Sequence, residues 1–191
     1  MTMLCSLDDN ATRRDITIAY LDLLCEKNAD AVTISDVTRR AGVSRPTFYH
    51  YFSGTVDILH HLAALMFDGM RMAGREGDVQ GLTLERFIRG LFQYMEQNRD
   101  VLLAVAQAEG LAVFFACFRT ELQRRVIAFE LDHSMSIAEE RSAFVLGGAL
   151  SLLHFWIARG MDEPADDIAS RAITLGESGT DMGAPLMRER G

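Results

Sequence analysis

Between Thr33 and Phe52 the chain reads TISDVTRRAGVSRPTFYHYF, a stretch that carries two helix starts and one helix stop. Thr33 followed three residues later by Asp36 has the spacing in which a hydroxyl caps a helix N-terminus, while the carboxylate favours the positive end of the helix dipole. A short helix over residues 34–41 is expected, and Gly42 can take the positive φ that ends it. Ser44 can cap the next helix, where Pro46 in the first turn lacks an N–H that would have had no partner there. Two helices joined through Gly42 and Val43 define a helix-turn-helix. Phe48, Tyr51 and Phe52, at i, i+3 and i+4, then share its inner face, and Arg45, Thr47, Tyr49 and His50 fall toward the outside.

The rest of the chain keeps the helical period. Ile16, Ala19, Tyr20, Leu23 and Leu24 mark one face of a helix expected from Thr12 to Lys27, with Asn28 as a left-handed cap. Further helices are expected over 56–74, over 84–98 with the stripe Leu84, Phe87, Ile88, Leu91, Phe92 and Met95, and over 100–108 and 112–131. Another runs from a Ser136 cap to 159, and a last one from Pro164 to 175. The segment GREGDVQG reads as a loop, and the glycine-rich end from Gly176 as a flexible tail. Three prolines in 191 residues and no apolar–polar alternation leave strands without support. The expected fold is all-α, and a hydrophobic share of 49% suffices for a substantial core.

A net charge of −8 gives the chain no general attraction for phosphate, so any contact with nucleic acid must come from a local patch. Cys5, Cys25 and Cys117 are odd in number and widely spaced, which suggests neither a disulfide framework nor a zinc site and fits a reducing cytoplasm. Cys25 and Cys117 read as small core fillers. His60 and His61 read as a partly exposed pair on a helix, where neighbours point about 100° apart and do not readily share a metal. The most apolar run, AFVLGGALSLLHFWIA, has 16 residues where a membrane span wants about 20. H-E-x-x-H, P-loop, G-x-G-x-x-G and G-x-S-x-G motifs are all absent, so neither an enzyme nor a cofactor is expected.

The segment TISDVTRRAGVSRPTFYHYF, with the amphipathic helix before it, resembles the N-terminal domain of TetR-family transcriptional regulators. The likeness covers residues 12–60 and rests on the cap, the turn glycine, Ser44, Tyr49 and the Tyr51–Phe52 pair in register. AFVLGGALSLLHFWIARG is similar to the dimerising helix of that family. The resemblance implies a three-helix helix-turn-helix domain over residues 1–54, a larger helical regulatory and dimerisation domain over 55–176, and a tail over 177–191. It also implies a homodimer, double-stranded DNA as one partner and a small-molecule effector as another. Two features depart from the pattern. Thr55 stands where the family commonly has a phosphate-touching lysine. Through residue 60 the cations Arg13, Arg14, Lys27, Arg39, Arg40 and Arg45 are outnumbered by Asp8, Asp9, Asp15, Asp22, Glu26, Asp30, Asp36 and Asp57.

A recognition helix in the major groove shows its N-terminal residues to base edges, while its cap and neighbouring helix ends meet phosphates. Arg45 can pair with guanine and Thr47 can touch a thymine methyl. Tyr49 and His50 suit phosphate, as do Thr33, Arg40, Ser44 and the turn at Pro46. Taken without the motif, the arginines also fit a solvated face. Met66, Met70, Tyr94, Phe114, Phe118, Phe155 and Trp156 are the candidate lining of an effector pocket, and core packing accounts for the same residues equally well. Ala143, Gly147 and Ser151, spaced by four, open a groove of small side chains which, with Leu150 and His154, fits either a partner helix or a buried core helix. Two functions follow: a homodimeric repressor of a palindromic operator released by an apolar or amphipathic ligand, or a TetR-fold coactivator that works through protein contacts.

Overall fold

The computed structural model describes residues 8–75, 83–127 and 137–178. Among these residues it holds nine α-helices and no strand: α1 Ala11–Leu24, α2 Ile34–Ala41, α3 Arg45–Tyr51, α4 Thr55–Arg75, α5 Leu84–Gln97, α6 Arg99–Gln107, α7 Leu111–Ile127, α8 Ile137–Ala158 and α9 Ala165–Ser178. A 3₁₀ turn, Ala29–Ala31, joins α1 to α2. The Ser136 cap, the loop beyond Arg75 and the chain beyond Ser178 fall outside the described residues.

Helices α1 to α3 form a small head. Ile16, Ala19, Tyr20, Leu23 and Leu24 of α1 are all buried, together with Val37 of α2 and Phe48 of α3. Burial of the Tyr20 phenol raises its pKa to about 12, because the anion would lose its hydration there. Two expectations for α1 need correction. The helix ends at Leu24, and Asn28 is extended at φ −61°, ψ 149°, since a 3₁₀ turn, not a left-handed cap, follows the helix. Cys25 is exposed, although Cys117 is buried as expected.

The body packs α5 against α9, α4 against α7, and α8 against α9. Phe114 stacks on Phe118 at 6.1 Å, Phe118 meets Phe67 at 6.4 Å, and Phe92 meets Trp156 at 5.8 Å. Helix α9 continues past Leu175 to Ser178, so Gly176 belongs to the helix and not to a tail. A β-carbon at Gly176 would come within 2.6 Å of Val145, and it is the missing side chain that lets α9 lie this close to α8.

Head and body share one apolar core. Helix α4 leads from one to the other, with Ile58 and Leu59 near its start and Met66 and Met70 further along, all buried. A second contact crosses from the 3₁₀ turn to the α6–α7 turn. There the Ala29 N–H donates to the Ala108 carbonyl at 2.8 Å and the Asn28 amide donates to Glu109 at 3.1 Å.

Candidate nucleic-acid interface

The ends of α2 and α3 are set by their own sequence. Thr33 Oγ1 accepts from the Asp36 N–H at 3.2 Å, and Asp36 Oδ2 accepts from the Thr33 N–H at 3.1 Å, a reciprocal capping box. Lys27 Nζ donates to the same Oδ2 at 2.6 Å, and with the Thr33 contacts it holds the Asp36 carboxyl well below the usual carboxylate range. Gly42 closes α2 at φ +67°, a left-handed conformation that side chains with a β-carbon disfavour. Ser44 Oγ then accepts from the Thr47 N–H at 3.2 Å and starts α3.

Phe48 and Phe52 anchor α3 in the core and leave its other side to solvent. On that side Arg45, Pro46, Tyr49 and His50 are exposed, Tyr49 at 56%, and Thr47 is half-buried, its hydroxyl 2.7 Å from Ser44 Oγ. Tyr51, expected to share the inner face, is half-buried and meets the His50 ring edge-on at 4.8 Å. Arg45 Nη2 donates to Ser35 Oγ at 2.6 Å, so the first turns of α2 and α3 lie side by side. Thr33, at the start of α2, is also exposed. A helix anchored through Phe48 and Phe52 with its other side open to solvent has the placement that a groove-reading helix needs.

The neighbouring cations are engaged within the head. Arg40 Nη2 donates to Glu26 at 2.6 Å, which raises the arginine pKa further, and Arg39 Nη2 donates to Asp36 at 2.9 Å. Such exposed pairs are screened by solvent and yield readily to phosphate. Ser35 and Glu26, which orient Arg45 and Arg40, were not singled out from the sequence. An exposed serine and glutamate carry no periodic signal, and only the fold brings them to the arginines.

The candidate effector residues divide. Met66, Met70, Tyr94, Phe114, Phe118 and Trp156 are buried between α4, α5, α7 and α8. Phe155 is turned the other way, 64% exposed, since its neighbour Trp156 takes the inward direction. It borders an outer groove of about 420 Å³ between α7 and α8, lined also by Phe115, Gly147, Leu150, Ser151 and His154. The His154 ring lies 4.9 Å from Phe115, and Ser151 Oγ donates back to the Gly147 carbonyl at 3.1 Å. The side chain of Ala143 lies outside the described residues.

A capped pair of helices, with a buried aromatic anchor behind an exposed polar and aromatic face, defines a helix-turn-helix DNA-binding protein. Comparison with known families agrees: residues 19–62 match the family model for bacterial regulatory proteins of the tetR family, and residues 83–177 match a transcriptional-regulator C-terminal region. The chain belongs to the TetR family of DNA-binding transcriptional regulators. An uncharacterised HTH-type transcriptional regulator of Mycobacterium bovis is 26% identical over 173 residues, covering 88% of this chain and 89% of the relative. Among solved structures, a TetR-family regulator from Syntrophomonas wolfei has a TM-score of 0.66 at 18% identity, covering 95% of this chain and 100% of its own. FadR from Bacillus subtilis, in complex with stearoyl-CoA, has a TM-score of 0.56 at 15% identity, covering 86% and 97%. At these identities the structural likeness speaks for the fold. Among the described residues no helix is long and apolar enough to cross a membrane.

Proposed function

We propose that the chain is a homodimeric repressor, working in the cytoplasm, whose head (residues 1–54) reads a palindromic operator and whose body (55–176) binds an apolar or amphipathic effector. The exposed face of α3 carries this reading. Arg45 and Thr47 reach base edges, and Thr33, Arg40, Ser44, Pro46, Tyr49 and His50 border the phosphates. In the body, Phe144 at 74% exposure, Phe155 and Val113 belong to the outward side of α7 and α8, a costly display of apolar surface for a lone chain. A second copy packed on Gly147, Leu150, Ser151 and His154 covers it. A two-fold dimer sets its reading helices about 34–36 Å apart, hence the palindrome. An effector held among Met66, Met70, Tyr94, Phe114, Phe118 and Trp156 releases DNA by preferring a state with another spacing. The similar fold of FadR from Bacillus subtilis, which holds stearoyl-CoA, supports an amphipathic effector.

Gel-shift titration against the DNA upstream of the chain's own gene, at low and moderate salt with nonspecific competitor, tests the reading. A competitor-resistant shift is expected, and Arg45→Ala should weaken specific binding by about 1–3 kcal/mol without altering the melt. Equal affinity of variant and wild type removes Arg45 from the interface. Thr55 in place of a lysine, with the excess of acidic residues through residue 60, favours the coactivator as the second reading. Absence of a shift at any salt, on this DNA and on fragments selected from a random pool, would establish it over the repressor.

A further inference from the structure

Beneath the reading helix lies a buried carboxylate that DNA contact does not use. Asp8 is 1% exposed. Its Oδ1 accepts from the Asn10 N–H at 3.0 Å and from Arg13 Nη2 at 2.7 Å, and its Oδ2 accepts from Arg13 Nε at 2.9 Å. The remaining position on Oδ2 faces His61 Nε2 at 2.8 Å. With Asp8 ionised, only the imidazole can donate in that contact, so His61 carries its proton on Nε2. The three residues come from different places: the segment before α1, the first turn of α1, and the second turn of α4.

We propose that Asp8, Arg13 and His61 form a clasp that fixes the angle at which α4 leaves the head, making His61 a positioning residue for DNA recognition. The clasp adjoins the end of the reading helix. The Phe52 ring lies 5.7 Å from the His61 ring, and the Asn10 amide donates to the Tyr51 hydroxyl at 3.4 Å. Further along, the same helix α4 carries Met66 and Met70 into the body core. A turn or slide of α4 therefore carries His61 away from Asp8, and hydrogen bonds to a carboxylate weaken steeply with angle. Apolar packing alone would tolerate such a slide. A buried carboxylate cannot, because the Arg13 pairing persists but the loss of the imidazole donor leaves an Oδ2 lone pair without a partner on a group that is 1% exposed. The clasp thereby holds the head in one attitude relative to α4. The inference rests on the DNA-binding reading only for its consequence, since the clasp itself is a statement about head and body.

The test compares His61→Leu, which removes the donor, with His61→Gln, whose amide N–H can replace it. Specific DNA affinity should fall about tenfold in the leucine variant, at a temperature where it is folded, and return in the glutamine variant. In parallel, spin labels on Arg39→Cys in the head and Gln97→Cys in the body, with Cys5 and Cys25 replaced by serine and the labelled chains diluted in unlabelled protein, report the attitude directly. A broadened or shifted distance distribution in His61→Leu, restored in His61→Gln, is expected whether or not DNA is bound. An unchanged distribution overturns the clasp. Unchanged affinity beside a changed distribution overturns its role in recognition, and wild-type protein that binds no DNA overturns the repressor reading while the distances still decide the clasp.

Discussion

The head and the body of this protein terminate their helices by different means. In the head, α1, α2 and α3 begin on Asn10, Thr33 and Ser44, each bonded to an N–H three residues on, and α2 ends on a glycine. In the body the ends are also held by residues far along the chain. Arg99 donates to the Gly160 and Met161 carbonyls where the chain turns after α8 with positive φ, and Glu96 accepts from the Ala165 N–H at 3.0 Å to start α9. Trp156 Nε1 reaches the Glu163 carbonyl at 3.0 Å across the same turn. The head thus leans on contacts at short sequence offsets, and the body adds to such caps more contacts between residues far apart in the chain.

The strongest challenge to this contrast is a substitution that opens a large cavity in the head. Phe48 is fully buried and touches both Tyr49 and Phe52, so Phe48→Ala should cost about 3–5 kcal/mol. If the head is a separate unit, denaturant unfolding of the variant splits into two transitions, with the body unmoved. One transition, displaced as a whole, would mean that the shared core makes head and body a single cooperative unit.

The body's outer face is probed by Gly147→Leu. A β-carbon at Gly147 meets nothing within 4 Å in the single chain, and replacing glycine inside a helix removes a cost of about 1 kcal/mol. The chain itself should not be destabilised. In a two-fold dimer the added side chain intrudes twice, for roughly 3 kcal/mol, or more than about 100-fold in the dimer constant. Sedimentation equilibrium measures it. An unaltered constant would turn the partner surface to a face other than the groove between α7 and α8.

The same division explains what was legible beforehand. The bounds of α2, its Thr33 cap, the left-handed Gly42 and the inward Phe48 followed from residue types at fixed short offsets, while the return bond from the Thr33 N–H to Asp36 is seen only in the structure. The direction of Phe155 did not, because α8 is apolar nearly all round and no polar stripe says which side faces out. The fate of Asn28 depended on the α6–α7 turn, which supplies the Ala108 carbonyl for the 3₁₀ turn. His60 exposed and His61 half-buried match a partly exposed pair, but the bond of His61 to an aspartate 53 positions away has no sequence signal. No spacing rule connects residues so far apart.

Acid sharpens the contrast from another side. Burial opposes ionisation of Asp8, yet the donors Arg13, Asn10 and His61 outweigh it and bring its pKa to about 2, from 3.8 in an exposed carboxyl. The folded state thus binds this proton less readily than the unfolded chain, and its stabilisation, on the order of 2 kcal/mol, is present above pH 4 and lost as pH falls toward 2. His61 acts in the same sense at higher pH. Burial lowers its pKa more than Asp8 raises it, so stability declines as pH drops below about 6.5 toward the folded value. Melts of wild type and Asp8→Asn between pH 7 and pH 3 should converge toward the acid end. Parallel curves would show that other carboxylates carry the acid sensitivity.

The smallest expected effect compares two threonine caps, one in each region. Thr33→Ala removes the hydroxyl that accepts from the Asp36 N–H and donates to Asp36 Oδ2 at 2.6 Å, and should cost about 1 kcal/mol. Thr33→Ser keeps both bonds and should restore most of it. Thr83 caps α5 in the body through the same bond, 3.2 Å from the Arg86 N–H, but the third helical position there is an arginine, with no carboxylate to return the contact. Thr83→Ala should therefore cost less, nearer 0.5 kcal/mol on the order of a single cap bond. The difference isolates what the hydroxyl's donation to the Asp36 carboxylate adds to a single cap bond, because both threonines are exposed and cap through the same bond length. Equal losses in matched denaturant titrations would show that the hydroxyl's bond to Asp36 adds nothing to the cap, the carboxylate being held by Lys27, Arg39 and the Thr33 N–H.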